Sequence, residues 1–167
     1  MLSADQSRFL ALSRERGVRV LVIGGQALIA HGLPRSTVDL DVLVAGEPAG
    51  ADALATVVCA ILPMANFEPI RRAASTPGNR LYHCLPDGRH EIDILTSIDG
   101  ISFAAAFSRA VELTVHGVVC QVAAIEDLIA MKRVSLASNQ RDGMTDRVTR
   151  DTQDVAALER HYAAGAP

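Results

Sequence analysis

Asp39 and Asp41 occupy alternate positions in the run Thr37-Val38-Asp39-Leu40-Asp41-Val42-Leu43-Val44. In an extended strand alternate residues point to one side, about 6.6 Å apart by strand rise. Two carboxylates held that way on a half-buried strand repel each other and resist leaving water, so the arrangement is stable at low cost only with a cation between them. The alternation recurs in His90-Glu91-Ile92-Asp93-Ile94, where Glu91 and Asp93 oppose Ile92 and Ile94. If the two strands are neighbours, Asp39, Asp41 and Asp93 converge. Such hard oxygen ligands suit Mg²⁺ or Mn²⁺, which are held by a few carboxylates together with substrate phosphates. The same alternation also suits an exposed polar strand face with no ligand, and Glu91 reads as a fourth carboxylate or as a surface strand residue.

Gly24-Gly25 follows the apolar run Val18–Ile23 and precedes a short helical pattern. A glycine pair there lets backbone N–H groups approach a phosphate closely; it is equally an ordinary tight turn. Lys132 falls within the apolar stripe Ile125, Leu128, Ile129, Leu136 of a helical segment. An inward lysine needs an anion, which is either a triphosphate or a structural partner, Asp151 or Asp154. Arg35 could reach a phosphate or clamp its own loop. His31 reads as a cap, packing residue or catalyst, while His83, His90 and His116 show no metal spacing.

These residues need a frame. The pattern predicts a helix over Asp5–Glu15, a buried strand over Val18–Ile23, a short helix over Gln26–His31 and a strand over Thr37–Val44. It continues with a helix over Ala51–Leu62, a strand over Phe67–Arg72, and a hairpin of Arg80–Leu85 and Arg89–Thr96 about Asp87-Gly88. A second hairpin, Val111–Val115 with Val118–Val122, turns at His116-Gly117. An amphipathic helix spans Ile125–Ala137, a polar stretch follows, and a last helix ends near Tyr162. The fold class is α/β, a mixed β-sheet flanked by helices, in one domain over 1–167 with C-terminal helices over 124–164.

A chain of 167 residues with 49% hydrophobic and 21% charged residues is globular in composition. It carries no apolar run of membrane-spanning length and no apolar leader, which predicts a cytoplasmic protein with no membrane partner. Cys59, Cys84 and Cys120 are odd in number and far apart, and read as buried thiols in a reducing compartment. A net charge of -3, 4% aromatic residues and no Trp exclude an unaided gripper of long nucleic acid.

Val18-Arg19-Val20-Leu21-Val22-Ile23-Gly24-Gly25-Gln26-Ala27, then His31-Gly32, Arg35, Thr37, Asp39 and Asp41, resembles the signature of the polymerase-β-like nucleotidyltransferase superfamily. Within it the chain is similar to the small bacterial branch of minimal nucleotidyltransferases and of the nucleotidyltransferase toxins of abortive-infection and toxin–antitoxin systems. The likeness extends to the Asp93 strand and to Asp127-Leu128, Lys132, Asp151, Asp154-Val155 and Leu158. It implies that Gly24 and Gly25 form the phosphate-facing turn and that Arg35, Thr37 and Lys132 lie in the nucleotide site. Asp39 and Asp41 would be the metal pair, and Asp93 the third carboxylate, activating the acceptor hydroxyl. Gly25 departs from the Ser common at that position. The long gap from Lys132 to Asp151 suggests an inserted loop across Ser138–Val148.

The resemblance implies transfer of a nucleoside monophosphate from a nucleoside triphosphate to an acceptor hydroxyl, with pyrophosphate leaving. Two Mg²⁺ or Mn²⁺ ions about 3.5–4 Å apart would serve as cofactors. The acceptor would be a small molecule, a protein side chain or an RNA end presented by a partner protein. The alternatives are a non-catalytic nucleotide- or partner-binding module of the same fold, and an unrelated metal-dependent hydrolase.

Overall fold

The computed structural model describes residues 1–62, 64–84 and 90–165, with 82–84 and 90 described by backbone alone. Helix α1 (Ala4–Glu15) starts from a reciprocal cap: Gln6 N–H donates to Ser3 Oγ, and Ser3 N–H donates to Gln6 Oε1. Strand β1 (Val20–Ile23) is buried at every position and runs directly into α2 (Gly24–Ala30). Then come β2 (Leu40–Val44), α3 (Ala51–Ile61), α4 (Phe67–Ala74), β3 (Arg80–Cys84) and β4 (His90–Leu95). Helix α5 (Phe103–Ser108), strands β5 (Val111–Val115) and β6 (Val118–Val122), and helices α6 (Ile125–Arg141) and α7 (Thr145–Ala163) complete the order.

Six strands form one mixed sheet in the order β3-β4-β2-β1-β6-β5. β2 lies parallel to β4 and antiparallel to β1, while β1 lies parallel to β6. Paired residues share a face, so Leu40 and Val42 of β2 point the same way as Ile92 and Ile94 of β4. An apolar pocket of about 370 Å³ on that face, lined by Phe9, Val58, Ile61, Ile70, Leu81 and Ile94 among others, shows α1, α3 and α4 covering it. Asp41 and Asp93 therefore belong to the opposite face.

Two expectations are overturned. Phe67–Arg72 is the body of α4, not a strand. Pro69 sits in the first turn, where its missing N–H costs nothing, and Ile70 and Ala74, one turn apart, are the buried residues. Glu68 and Arg71 pair along the exposed side. The loop expected across Ser138–Val148 is also absent: α6 continues to Arg141 and α7 begins at Thr145. Residues 142–144 make the turn, with Gly143 at φ 69. The polarity of Ser138 to Arg141 reflects a helix end facing solvent and its neighbour, with Asn139 donating to Asp151. Helix α5, for which no pattern was read, is capped by the Ser102 hydroxyl. The turn expected at Asp87-Gly88 lies outside the described residues, while the His116-Gly117 turn closes the β5–β6 hairpin with both residues at positive φ.

Candidate active site

Asp41 stands directly opposite Asp93 across the parallel β2–β4 pair. Asp39 lies in the approach to β2, where the Thr37 hydroxyl donates to its Oδ1. The neighbourhood condition set by the two alternating patterns is thus met. Crowding shows in the titration of Asp41: burial, then the charges of Asp39 and Asp93, push its carboxyl up to about 7, against the weaker opposing pull of Lys132 and Arg80.

The turn out of β1 presses on this group. Gly24 has φ 62, and a Cβ built there would land on Asp41 Oδ2. A Cβ at Gly25 would lie 2.8 Å from Cβ of Thr37. Neither position has room for the serine common at the second site, so Gly25 is a packing requirement set by Thr37.

A hard cation fits the donor set, because a carboxyl raised to about 7 by burial and then by neighbouring carboxylates is one that a cation would relieve. Among the described residues no three His, Cys, Asp or Glu side chains stand in metal-holding geometry. Arg80 Nε donates to Asp93 Oδ1 at 2.9 Å while its Nη2 pairs with Oδ2. Asp93 is only 2% exposed.

Lys132 has two carboxylate partners within the protein. Its ammonium lies 2.9 Å from Asp151 Oδ1 and 2.8 Å from Asp154 Oδ2, bridging α6 to α7. Burial works to lower its pKa, but the hydrogen bonds to Asp154 and Asp151 outweigh it and hold the group above the ordinary lysine range. Ser135 and Asn139 donate to the other Asp151 oxygen. Arg35 joins the same network through Nε, 3.1 Å from Asp154 Oδ1, and donates through Nη1 to its neighbour's carbonyl at Ser36. The chain of charges Arg35–Asp154–Lys132–Asp151 ties the approach to β2 onto the C-terminal helices. The field of Lys132 still reaches Asp41.

Three positions read differently from their sequence signals. Gln6, overlooked as a site residue, sends its Nε2 to the carbonyls of Val38 at 2.8 Å and Glu91 at 2.7 Å. It thereby tethers the residues just before Asp39 and just before Ile92-Asp93. Ser3 and Gln6 stand at the spacing of a reciprocal cap, but that spacing carries no signal of this second use of the amide. His31 is a structural clamp, its Nε2 lying 2.9 Å from the Ala123 carbonyl. Glu91 is buried, not a surface strand residue, because β4 is an interior strand of the sheet. Cys59 and Cys120 are free and half-buried.

Residues 11–167 match the model of the family described as Nucleotidyl transferase AbiEii toxin, Type IV TA system. Comparison with curated proteins finds no match. Among solved structures, the chain resembles an antigenic nucleotidyltransferase-like protein from Paracoccidioides brasiliensis at 17% identity and TM-score 0.51, covering 94% of this chain and 77% of that one. It also aligns with ANT(2")-Ia in complex with adenylyl-2"-tobramycin at 15% identity and TM-score 0.46, over 96% and 95% of the two chains. The solution structure of ANT(2'')-Ia aligns at 19% identity and TM-score 0.45, over 94% of each. The first of these likenesses is one of fold: a nucleotidyltransferase-like sheet with its helices.

Proposed function

The chain belongs to the AbiEii nucleotidyltransferase toxin family, and from that premise we propose that it moves a nucleoside monophosphate from a nucleoside triphosphate onto an acceptor hydroxyl, releasing pyrophosphate. The observation that carries the reading is Asp41 facing Asp93 across β2 and β4, with the Asp41 carboxyl raised to about 7. Asp39 and Asp41, with Asp93, would hold Mg²⁺ or Mn²⁺, which supplies charge neutralisation at the phosphoryl oxygens and at the attacking and leaving oxygens.

The remaining work falls to the chain's own groups. Gly24 brings backbone against Asp41, and Gly25 against Thr37, without side-chain bulk, and the N–H groups of this turn would face the phosphates. Thr37 holds Asp39 in place. Arg35 and Lys132 add cationic character on the nucleotide side while Asp154 and Asp151 keep them oriented. Asp93, nearly buried, would take the proton of the acceptor hydroxyl. Positioning and charge neutralisation account for most of the rate, since phosphoryl transfer asks little covalent chemistry of the protein.

All of this sits in one domain over 1–167. The free thiols Cys59 and Cys120 suit the reducing cytoplasm, where nucleoside triphosphates are abundant. No helix among the described residues is long and apolar enough to cross a membrane. A net charge of -3 and 4% aromatic residues favour an acceptor other than long bare RNA. A small molecule, a protein side chain or an RNA end presented by a partner protein fits better, the last two in keeping with a toxin–antitoxin family.

The deciding experiment incubates the protein, Mg²⁺ or Mn²⁺ and each labelled nucleoside triphosphate with total RNA, a protein extract or small hydroxylated metabolites. Pyrophosphate release with stable label on one acceptor is the expected result, abolished in Asp39→Asn/Asp41→Asn. Transfer that survives the double substitution overturns the assignment. Efficient, salt-sensitive labelling of bare RNA overturns the acceptor reading.

A further inference from the structure

Arg80 opens β3, and Tyr82, two residues on, is the position facing Asp93 in the antiparallel β3–β4 register. Arg80 therefore lies on the face that bears Asp93, one step along the strand, and its fork reaches both carboxylate oxygens. The two partners differ in exposure: the Arg80 side chain is 50% exposed and that of Asp93 3%. A buried carboxylate needs a positive partner. The Arg80 guanidinium supplies one from the solvent side, on a long stem at the edge of the sheet.

We propose that Arg80 is a positioning residue that holds Asp93 in the metal-free chain and competes with the divalent cation for it, so that release of the Arg80–Asp93 pair sets the metal concentration at which the site assembles. The inference rests on the reading of Asp93 as part of the metal-binding set. A guanidinium engaged with both oxygens leaves an incoming dication to meet a positive charge as well as a carboxylate with one lone pair of each oxygen already engaged. The same guanidinium also acts electrostatically on Asp41. Metal entry must therefore displace one cation from a cluster it shares with three carboxylates.

The molecule contains a control. Arg109 grips Asp127 in the same two-point fashion, 3.0 Å and 2.6 Å, between the end of α5 and the first turn of α6. Its exposures, 46% and 8%, resemble those of the Arg80 pair. If forked pairs matter only for folding, the two arginines should behave alike.

The test measures Mn²⁺ binding to the full chain without nucleotide, by electron paramagnetic resonance of free Mn²⁺, for wild type, Arg80→Gln, Arg80→Lys, Arg109→Gln and Asp39→Asn/Asp41→Asn. Removing a competing unit charge should tighten Mn²⁺ binding by roughly tenfold in Arg80→Gln. A smaller tightening is expected in Arg80→Lys, which keeps the charge but loses the fork. Arg109→Gln should bind as wild type does. Should Arg80→Gln fail to fold, Arg80→Lys carries the decision, and wild-type affinity there overturns the proposal. Binding lost in the double aspartate variant but unchanged or weakened in Arg80→Gln overturns the role of Arg80 alone. Binding that the double aspartate variant retains overturns the metal assignment and this proposal together.

Discussion

Gly24 approaches Asp41 so closely that any side chain at Gly24 would collide with the carboxylate. Two requirements coincide at this glycine: a left-handed φ of 62 and the absence of a Cβ. The turn from β1 into α2 is thus shaped by the carboxylate it faces.

Gly24→Ala should accordingly disturb the site more than the fold. The left-handed conformation costs a non-glycine residue about 1–2 kcal/mol, and displacement of Asp41 adds to that. We expect the melting temperature to fall by a few degrees and the stabilisation by Mn²⁺ plus nucleotide to vanish. Thermal melts with and without both ligands check it; an undiminished ligand shift would show that the glycine serves only the turn.

The Asp41 carboxyl makes a second expectation. Its value in the folded chain is about 7, against 3.8 for an unperturbed Asp. A raised acid binds its proton more tightly when folded, so its contribution to stability is complete below about 3.8 and is lost as pH rises through about 7. Asp151, held low by its hydrogen bonds despite burial, runs oppositely and loses its contribution toward acid pH. The metal-free protein should therefore lose stability between pH 5 and 7 in a way that Asp41→Asn flattens. Chelator-treated melts across that window decide it, and parallel curves for the two proteins would refute the claim. Added Mg²⁺ should restore the loss near pH 7 and above.

Period-two alternation made the carboxylates legible, because Asp39, Asp41 and Asp93 each broke an otherwise apolar strand rhythm. An inward lysine announced that Lys132 had an anion, and the helices answered with two. What stayed hidden was tertiary. Phe67–Arg72 carries too few residues to separate strand from helix until Ile70 and Ala74 are seen buried together. Polarity at Ser138–Arg141 looked like a loop because one helix end faces a neighbouring helix through polar groups. Arg80 gave no signal at all, since pairing with Asp93 depends on a strand register that no local pattern states.

Lys132→Met tests the bridge between α6 and α7. It strands Asp151 and Asp154, 4% and 5% exposed, without their shared cation. Loss of one member of a buried pair costs about 3–5 kcal/mol. We expect a loss near the lower figure, since Ser135 and Asn139 still donate to Asp151 and Arg35 still pairs with Asp154. Urea denaturation of the metal-free chain measures it. A variant as stable as wild type, with weakened nucleotide binding, would instead place Lys132 on the triphosphate.

Gln6 carries the last expectation. Its amide is satisfied three ways: Oε1 accepts from Ser3 N–H, and Nε2 donates to the carbonyls of Val38 and Glu91. Those carbonyls belong to the approach to β2 and to β4, so one side chain on α1 ties together the backbone on both sides of the carboxylate cluster. Gln6→Met keeps the shape and removes the hydrogen bonds. Leaving buried polar groups unpaired costs about 1–3 kcal/mol, and we expect a loss of about 2 kcal/mol. Because Val38 immediately precedes Asp39 and Glu91 lies two residues before Asp93, the slack should also reach the chemistry. The transfer rate at saturating nucleotide should fall while the apparent nucleotide affinity holds, since the nucleotide-side cations are anchored elsewhere, on α7. Urea denaturation and steady-state kinetics on the same variant separate the two effects. Wild-type stability would remove Gln6 from the framework, and a lost affinity with unchanged rate would mean that the tether serves the nucleotide and not the carboxylates.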